Sequence, residues 1–235
     1  MKNLPIKNII EKIDGKILQG TDTLIITDII TRSRSVRHGF LLFDIYHDNE
    51  INLLSNADCP SCAVVTDKPL SIGMFSDNIT VIQVADINIA YWKFIDFYRS
   101  LFNIPVIGVT GTCGKTTTKE MIAYILSEDY KVNATHKSFN ADFRHLGYLL
   151  DINDDSQVGV FEMGVASPGD LKRCCRYFKP QIGIITNIGI DHLQQFDSID
   201  SYIMAKAEFI EGLDYKGTLI INADDKNIKK IDFSK

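Results

Sequence analysis

Long apolar runs are missing from this chain. No stretch approaches the ~18 consecutive apolar residues of a membrane-crossing helix, so no membrane span is expected. Excess positive charge is missing as well. With 25 Lys and Arg against 30 Asp and Glu, the net charge is −5, which gives no electrostatic reason for a nucleic acid or an anionic membrane as partner. A polyanionic ligand would have to be held by local loops. Cysteine is sparse: five thiols, an odd number and scattered, do not make a disulfide framework and fit a reducing compartment. Cys59 and Cys62 form a CxxC, but no second Cys or His pair stands near them. A turn around Pro60 explains the spacing, with zinc or redox work as the alternatives. The first residues, MKNLPIKNIIEKIDGK, alternate charge and lack the apolar core of a signal peptide, so the expected compartment is the cytoplasm. There is neither an internal repeat nor a low-complexity tract. The 235 residues, 45% hydrophobic and 23% charged, can bury a real core in one large domain or two smaller ones.

Two patterns divide the chain. Residues 1–87 read as a small α/β domain: a helix over Ile6 to Ile13, then short strands at Leu24 to Ile30, Phe40 to Ile45, Ala63 to Thr66 and Thr80 to Val84. Residues 88–103 follow as a linker helix whose apolar face (Trp92, Phe94, Ile95, Tyr98) suits core packing or a domain bridge. From 104 to 235 apolar strands alternate with helices. The strands are Val106 to Val109, Val158 to Phe161, Gly183 to Thr186 and Thr218 to Ile221; the helices run through Ile125, over Leu171 to Phe178 and over Ser201 to Gly212. This alternation predicts a parallel sheet wrapped by helices, with ligands beyond the carboxyl ends of its strands.

The segment GVTGTCGKTTTKEM, Gly108 to Met121, stands between such a strand and such a helix. A strand, glycine loop and helix in that order turn backbone N–H groups inward on a phosphate. Gly111, Thr112, Cys113, Gly114, Lys115, Thr116 and Thr117 would cradle the nucleotide, with Lys115 on the outer phosphates and the Thr116 hydroxyl on Mg²⁺. The general pattern wants a glycine five residues before Gly114 and finds Val109, so the loop is a variant with its glycines at 108 and 111. ATP is the expected ligand.

Further candidates fall at the ends of the following strands. Glu162 closes the apolar VGVFE, where a buried carboxylate needs a cation, and a metal is the natural partner. TNIGIDHL leaves Asn187, Asp191 and His192 in a loop. AKAEF puts Lys206 beside Glu208 on a helix. INADD offers Asn222 either to adenine or to a turn.

The phosphate loop, together with EMG, TNIGIDHL, AKAEF and NADD, resembles the Mur ligases, nearest the branch that joins D-alanyl-D-alanine to a UDP-muramoyl tripeptide. The resemblance implies ATP-dependent amide-bond formation through an acyl phosphate, with Lys115, His192 and Lys206 in catalytic roles. It also implies two Mg²⁺ sites: Glu162 and Thr116 would serve the first, His192 and a carbamylated Lys206 the second. Asn222 would lie near the base. A carboxylate and an amine are the implied small-molecule partners, UDP-muramoyl peptide and D-alanyl-D-alanine among them, and peptidoglycan precursor synthesis is the implied setting.

Earlier in the chain, TRSRSVRHGFLLF resembles the family's UDP-binding segment through Ser33 and Arg34, with Arg32 in place of the usual Asp and no GxDGH after it. SFNADFRHLG keeps only Asn140 and Gly147 of an asparagine-rich family motif. These departures leave other acceptors open, as in the diamino-acid-adding, cyanophycin or polyglutamate synthetases. A phosphate-loop kinase or switch would use Lys115 and Glu162 without needing His192 and Lys206, and a non-catalytic nucleotide-binding relative is the third class. The family carries a further domain after the ATP-binding one, whereas NADD here is soon followed by Lys235, so a C-terminally truncated form, with the ATP-binding domain incomplete at its end, is the expectation.

Overall fold

The computed structural model describes residues 1–31, 37–46, 61–68, 75–137, 142–189, 196–214 and 216–233, without the side chains of 142–145. The chain forms two compact units, Met1–Leu101 and Phe102–Lys235.

The first unit has strands β1 (Leu4–Pro5), β2 (Lys16–Gln19), β3 (Ile25–Ile26), β4 (Asp28–Ile30), β5 (Phe40–Phe43), β6 (Cys62–Thr66) and β7 (Ile79–Gln83), and helices α1 (Ile6–Lys12) and α2 (Ile87–Ser100). Five strands make one sheet in the order β2-β7-β6-β5-β4. All its neighbours are parallel except β2 with β7. β5, β6 and most of β7 are buried throughout, as expected of strands covered on both faces. Phe40, Leu42, Cys62, Val64, Phe75, Ile79 and Val81 form one apolar cluster. Phe43 meets Tyr91 and Phe94 of α2, and Phe94 meets Tyr98, so the aromatic stripe of this helix is core packing within the first unit. Asp86 caps α2 by accepting from the Ile89 N–H at 2.9 Å, a contribution of about 1 kcal/mol. The apolar run at Leu24 to Ile30 is two strands rather than one: β3 pairs with β1 and β4 with β5.

The second unit has β8 (Val106–Thr110), α3 (Lys115–Leu126), β9 (Val132–Ala134), α4 (Asp142–Leu150), β10 (Val158–Glu162), α5 (Asp170–Phe178), β11 (Ile182–Ile185), α6 (Ile199–Gly212) and β12 (Thr218–Ile221). Its sheet runs β12-β11-β8-β10-β9 and every pair is parallel. After β8 the chain goes out to the β9 edge and returns to β10 on one side of β8; β11 then takes the other side. The strand order therefore reverses around β8, and in open parallel sheets the ligand crevice opens at that reversal, beyond the carboxyl ends of the strands. Gly108 lies in β8 because a Cβ there would come within 2.7 Å of Phe209 on α6 and 2.9 Å of the Met163 sulfur. Among the described residues no helix is long and apolar enough to cross a membrane.

Candidate functional site

The turn after β8 forms the floor of the crevice. Gly111 has φ +144°, and a Cβ on it would stand 2.0 Å from the Thr186 hydroxyl oxygen. Gly114, at φ +78°, begins α3 and offers no side chain to cap it. The first N–H groups of a helix have no intrahelical acceptors, so this helix start presents donors and the positive end of the dipole to the crevice. Nothing lies within 4 Å of where a Gly114 Cβ would be. Thr112 is nearly buried, whereas Cys113 and Thr117 are exposed.

Asn187, just past β11, ties this turn down. Its carbonyl accepts from Thr112 N at 2.9 Å, its Oδ1 accepts from Cys113 N at 2.9 Å, and its Nδ2 donates to the Cys113 carbonyl at 3.2 Å. Thr186 Oγ1 donates to the same carbonyl at 2.6 Å. Thr112 Oγ1 accepts from Gly189 N at 2.9 Å and is hydrogen-bonded to the Tyr202 hydroxyl at 3.2 Å. Lys115 folds back, its ammonium donating to the Thr112 carbonyl at 2.9 Å.

Three ionisable side chains are fully buried around the turn: Glu162, Lys206 and Lys119, each 0–1% exposed. Burying a charge is expensive unless it is paired and hydrogen-bonded, which makes the cluster a candidate site on energetic grounds. Glu162, at the end of β10, accepts from the Thr116 hydroxyl at 2.7 Å, and its N–H donates to Thr135 Oγ1 at 2.9 Å. A carboxylate and a hydroxyl oxygen so close together suit Mg²⁺, which takes hard oxygen ligands, one or two from protein and the rest from phosphates and water. Among the described residues no three His, Cys, Asp or Glu converge to enclose a metal.

Lys206, from α6, donates to Thr110 Oγ1 at 3.3 Å and to the Gly111 carbonyl at 3.2 Å, and lies 5.2 Å from the centroid of the Tyr202 ring. The ammonium is thus directly beneath the turn. Its neighbour Glu208 faces elsewhere, accepting from Gly169 N and Lys172 N at the start of α5.

Asn222, exposed, accepts from Asp224 N at 3.0 Å and so builds a turn. The residue that holds the turn after β11 is Asp225: it accepts from Ile188 N, Asn227 N and Ile228 N, while Asn227 Nδ2 donates to the Ile188 carbonyl. Burial pushes the Asp225 carboxyl up, but the N–H donors of Ile188, Ile228 and Asn227 together pull it further down, below its ordinary value. Sequence reasoning missed Asp225, Tyr202 and Lys119. The NADD and KEM strings drew notice, but nothing local marked Asp225 and Lys119 as ties. Ser33, Arg34, Asp191, His192, Asn140 and Cys59 lie outside the described residues.

A family model described as the Mur ligase middle domain matches residues 109–234. The UDP-N-acetylmuramoyl-tripeptide--D-alanyl-D-alanine ligase of Synechocystis sp. is 32% identical over 202 residues, covering 85% of this chain and 44% of that protein. The ligase of the same name from Bacillus subtilis is 30% identical over 227 residues, covering 94% and 49%. The chain therefore spans about half the length of the curated relatives it matches. Among solved structures, MurF from Acinetobacter baumannii superposes with a TM-score of 0.81 at 23% identity, covering 98% of this chain and 50% of that one. The MurF ligase from Thermotoga maritima in complex with ADP gives a TM-score of 0.70 at 23% identity, covering 86% and 47%. These structural likenesses establish the fold.

Proposed function

The chain belongs to the Mur ligase family, and from that premise we propose that it supplies the nucleotide-binding, carboxylate-activating part of an ATP-dependent amide ligase acting on peptidoglycan precursors in the cytoplasm. The carrying observation is the buried Glu162 held 2.7 Å from Thr116 at the start of α3, beside Lys115 and under an uncapped helix end. That arrangement fits the outer phosphates of ATP with one divalent ion between them and the protein.

In this reading a substrate carboxylate oxygen attacks the γ-phosphorus, the bond to the β-phosphate oxygen breaks, and ADP leaves. An amine nitrogen then attacks the acyl carbon of the resulting acyl phosphate, the carbon–oxygen bond breaks, inorganic phosphate departs, and the amine loses its proton. Catalysis here is mostly positioning and charge stabilisation, so no protein nucleophile is required. Lys115 turns its ammonium from the Thr112 carbonyl to the transferring oxygens. The first amides of α3 orient the phosphates, and Thr186 and Asn187 keep the turn in the shape that receives them. Glu162 and Thr116 would hold Mg²⁺, which neutralises charge on the transferring phosphoryl group.

A second ion, held by His192 and by a Lys206 carbamylated with CO₂, belongs to the same proposal. Lys206 already lies beneath the turn, and carbamylation would convert its cation into a carboxylate ligand. By likeness to the relatives named above, the carboxylate is that of a UDP-muramoyl tripeptide and the amine that of D-alanyl-D-alanine, with Ser33 and Arg34 on the uridine nucleotide and Asn222 near the adenine. The test uses the protein that carries this chain, incubated with ATP, Mg²⁺ and the tripeptide substrate. Hydroxylamine should trap a hydroxamate of the substrate, and adding D-alanyl-D-alanine should divert it to amide. Release of phosphate from ATP without any need for a carboxylate would support the kinase or switch reading instead.

A further inference from the structure

Only one residue of α3 is buried, and it is a lysine. Lys119 lies one turn beyond Thr116 and is 0% exposed. Its ammonium has three N–H donors and three oxygens to receive them: the Thr135 carbonyl, the Lys137 carbonyl at 3.2 Å, and the carboxylate of Glu120. Glu120 is itself largely exposed and the bond to Lys137 is only part-buried, so the Thr135 carbonyl is the buried partner. A helix seated on a sheet ordinarily buries an apolar side chain at such a position. The long stem and full hydrogen bonding of Lys119 indicate a specific task.

Thr135 shows what the task is. Besides receiving Lys119 on its carbonyl, it donates its N–H to Val160 O at 3.2 Å and accepts the Glu162 N–H on Oγ1 at 2.9 Å. Glu162 in turn accepts from Thr116, on the same helix as Lys119. The contacts close a ring through α3, the end of β9 and the end of β10. Each member is buried or part-buried, so water competes poorly for these bonds.

We infer that Lys119 is a positioning residue: it anchors Thr135, and through Thr135 it fixes the Glu162 backbone so that the carboxylate meets the divalent ion beside Thr116. The inference rests on the proposed role of Glu162 and Thr116 as holders of that ion. Groups that orient a metal-binding side chain typically alter metal affinity by about 10–100-fold when removed.

The test measures ATP affinity by calorimetry with Mg²⁺ and with EDTA, and takes the ratio of the two as the gain due to the ion. Lys119→Met keeps the stem and removes the ammonium. Thr135→Val removes only the hydroxyl, leaves no buried charge behind, and remains informative if the lysine variant fails to fold. Glu162→Gln is the reference. Each single variant should lower the gain by about tenfold or more, with ATP affinity in EDTA nearly unchanged, and Lys119→Met added to Glu162→Gln should lower it no further. Thr135→Ser, which keeps the hydroxyl, should restore the wild-type ratio.

An unaltered ratio in folded Thr135→Val, or full additivity of Lys119→Met with Glu162→Gln, would overturn the inference and leave Lys119 a structural staple. If wild type itself gained nothing from Mg²⁺, or Glu162→Gln lost nothing, the reading of the ion site would fail instead.

Discussion

Replacing Lys115 by alanine separates the two energies that act on this side chain. In the structure its ammonium makes one described hydrogen bond, to the neutral Thr112 carbonyl at 2.9 Å, and it is only partly buried. Such a bond is worth about 0.5–1.5 kcal/mol net, and the turn and the strand end before it stay tied by Asn187 and Thr186 through six other contacts. The fold should therefore lose at most about 1.5 kcal/mol. With ATP bound, the same ammonium would face phosphate oxygens, where a charge-assisted hydrogen bond contributes about 1.5–3 kcal/mol. At 1.4 kcal/mol per tenfold, affinity should fall by about 10–150-fold. Titration calorimetry with Mg·ATP, paired with a thermal melt of each protein without ligand, reads both quantities. A folded Lys115→Ala protein with wild-type ATP affinity would refute the assignment of the turn as a phosphate site. A variant that loses affinity only in proportion to lost stability would refute the claim that Lys115 acts mainly on the ligand.

Gly111→Ala should be worse for the fold than Lys115→Ala, because a backbone at φ +144° costs a side chain about 1–3 kcal/mol and the new Cβ would displace the Thr186 hydroxyl; a melt within a degree of wild type would contradict this. Cys113 is exposed, whereas Cys62 and Cys175 are buried, and burial first, then Asp170, push the Cys174 thiol up to about 12 against a smaller opposing effect of Arg173. Iodoacetamide at pH 8 should therefore label Cys113 first among these four and ATP should slow it; peptide mapping that finds Cys174 ahead would overturn the placement. Asp225 has its acidity strengthened in the folded state, so its stabilising share is full above the ordinary carboxylate value and is lost as pH falls through the lowered folded value. The stability gap between wild type and Asp225→Asn should accordingly be widest near neutrality and narrow on acidification below about pH 4, and urea melts showing a gap independent of pH would count against it. His192→Ala should reduce Mn²⁺ uptake in the presence of nucleotide while sparing ATP binding more than Lys115→Ala does; one ion per nucleotide in wild type at saturating metal and bicarbonate would speak against the second site.

Much of this molecule was legible in its residues because the information was local. The turn from Gly108 to Lys115 carries its chemistry in consecutive positions, and its neighbours β8 and α3 follow from an apolar run and a helix-forming run on either side. β10, buried throughout, was readable because strands covered on both faces are near-continuous apolar runs. β11 and β12 are apolar runs as well, although β12 is an edge strand left partly exposed, and α6, expected from Ser201, begins at Ile199 behind a capping box of Ser198 and Ser201.

What the sequence did not reveal lies in elements that owe their conformation to partners. β9, Val132–Ala134, is three half-buried residues, too short and too polar to announce a strand; it exists because β10 offers a free edge to pair with. β2 is likewise a mostly half-buried strand secured by β7, and the break between β3 and β4 follows from pairing with different neighbours. The site divides in the same way. Lys115, Thr116 and Glu162 could be named from the order of strand, turn and helix. That Glu162 meets Thr116 across 46 positions, that Lys206 reaches under the turn from 95 positions away, and that Asn187 and Asp225 hold its walls were decided by the parallel sheet. Lys119 shows the limit most plainly: in the string TTTKEM it reads as a solvated surface charge, and only the packing of α3 against the ends of β9 and β10 removes it from water and supplies the carbonyls that make its burial tolerable.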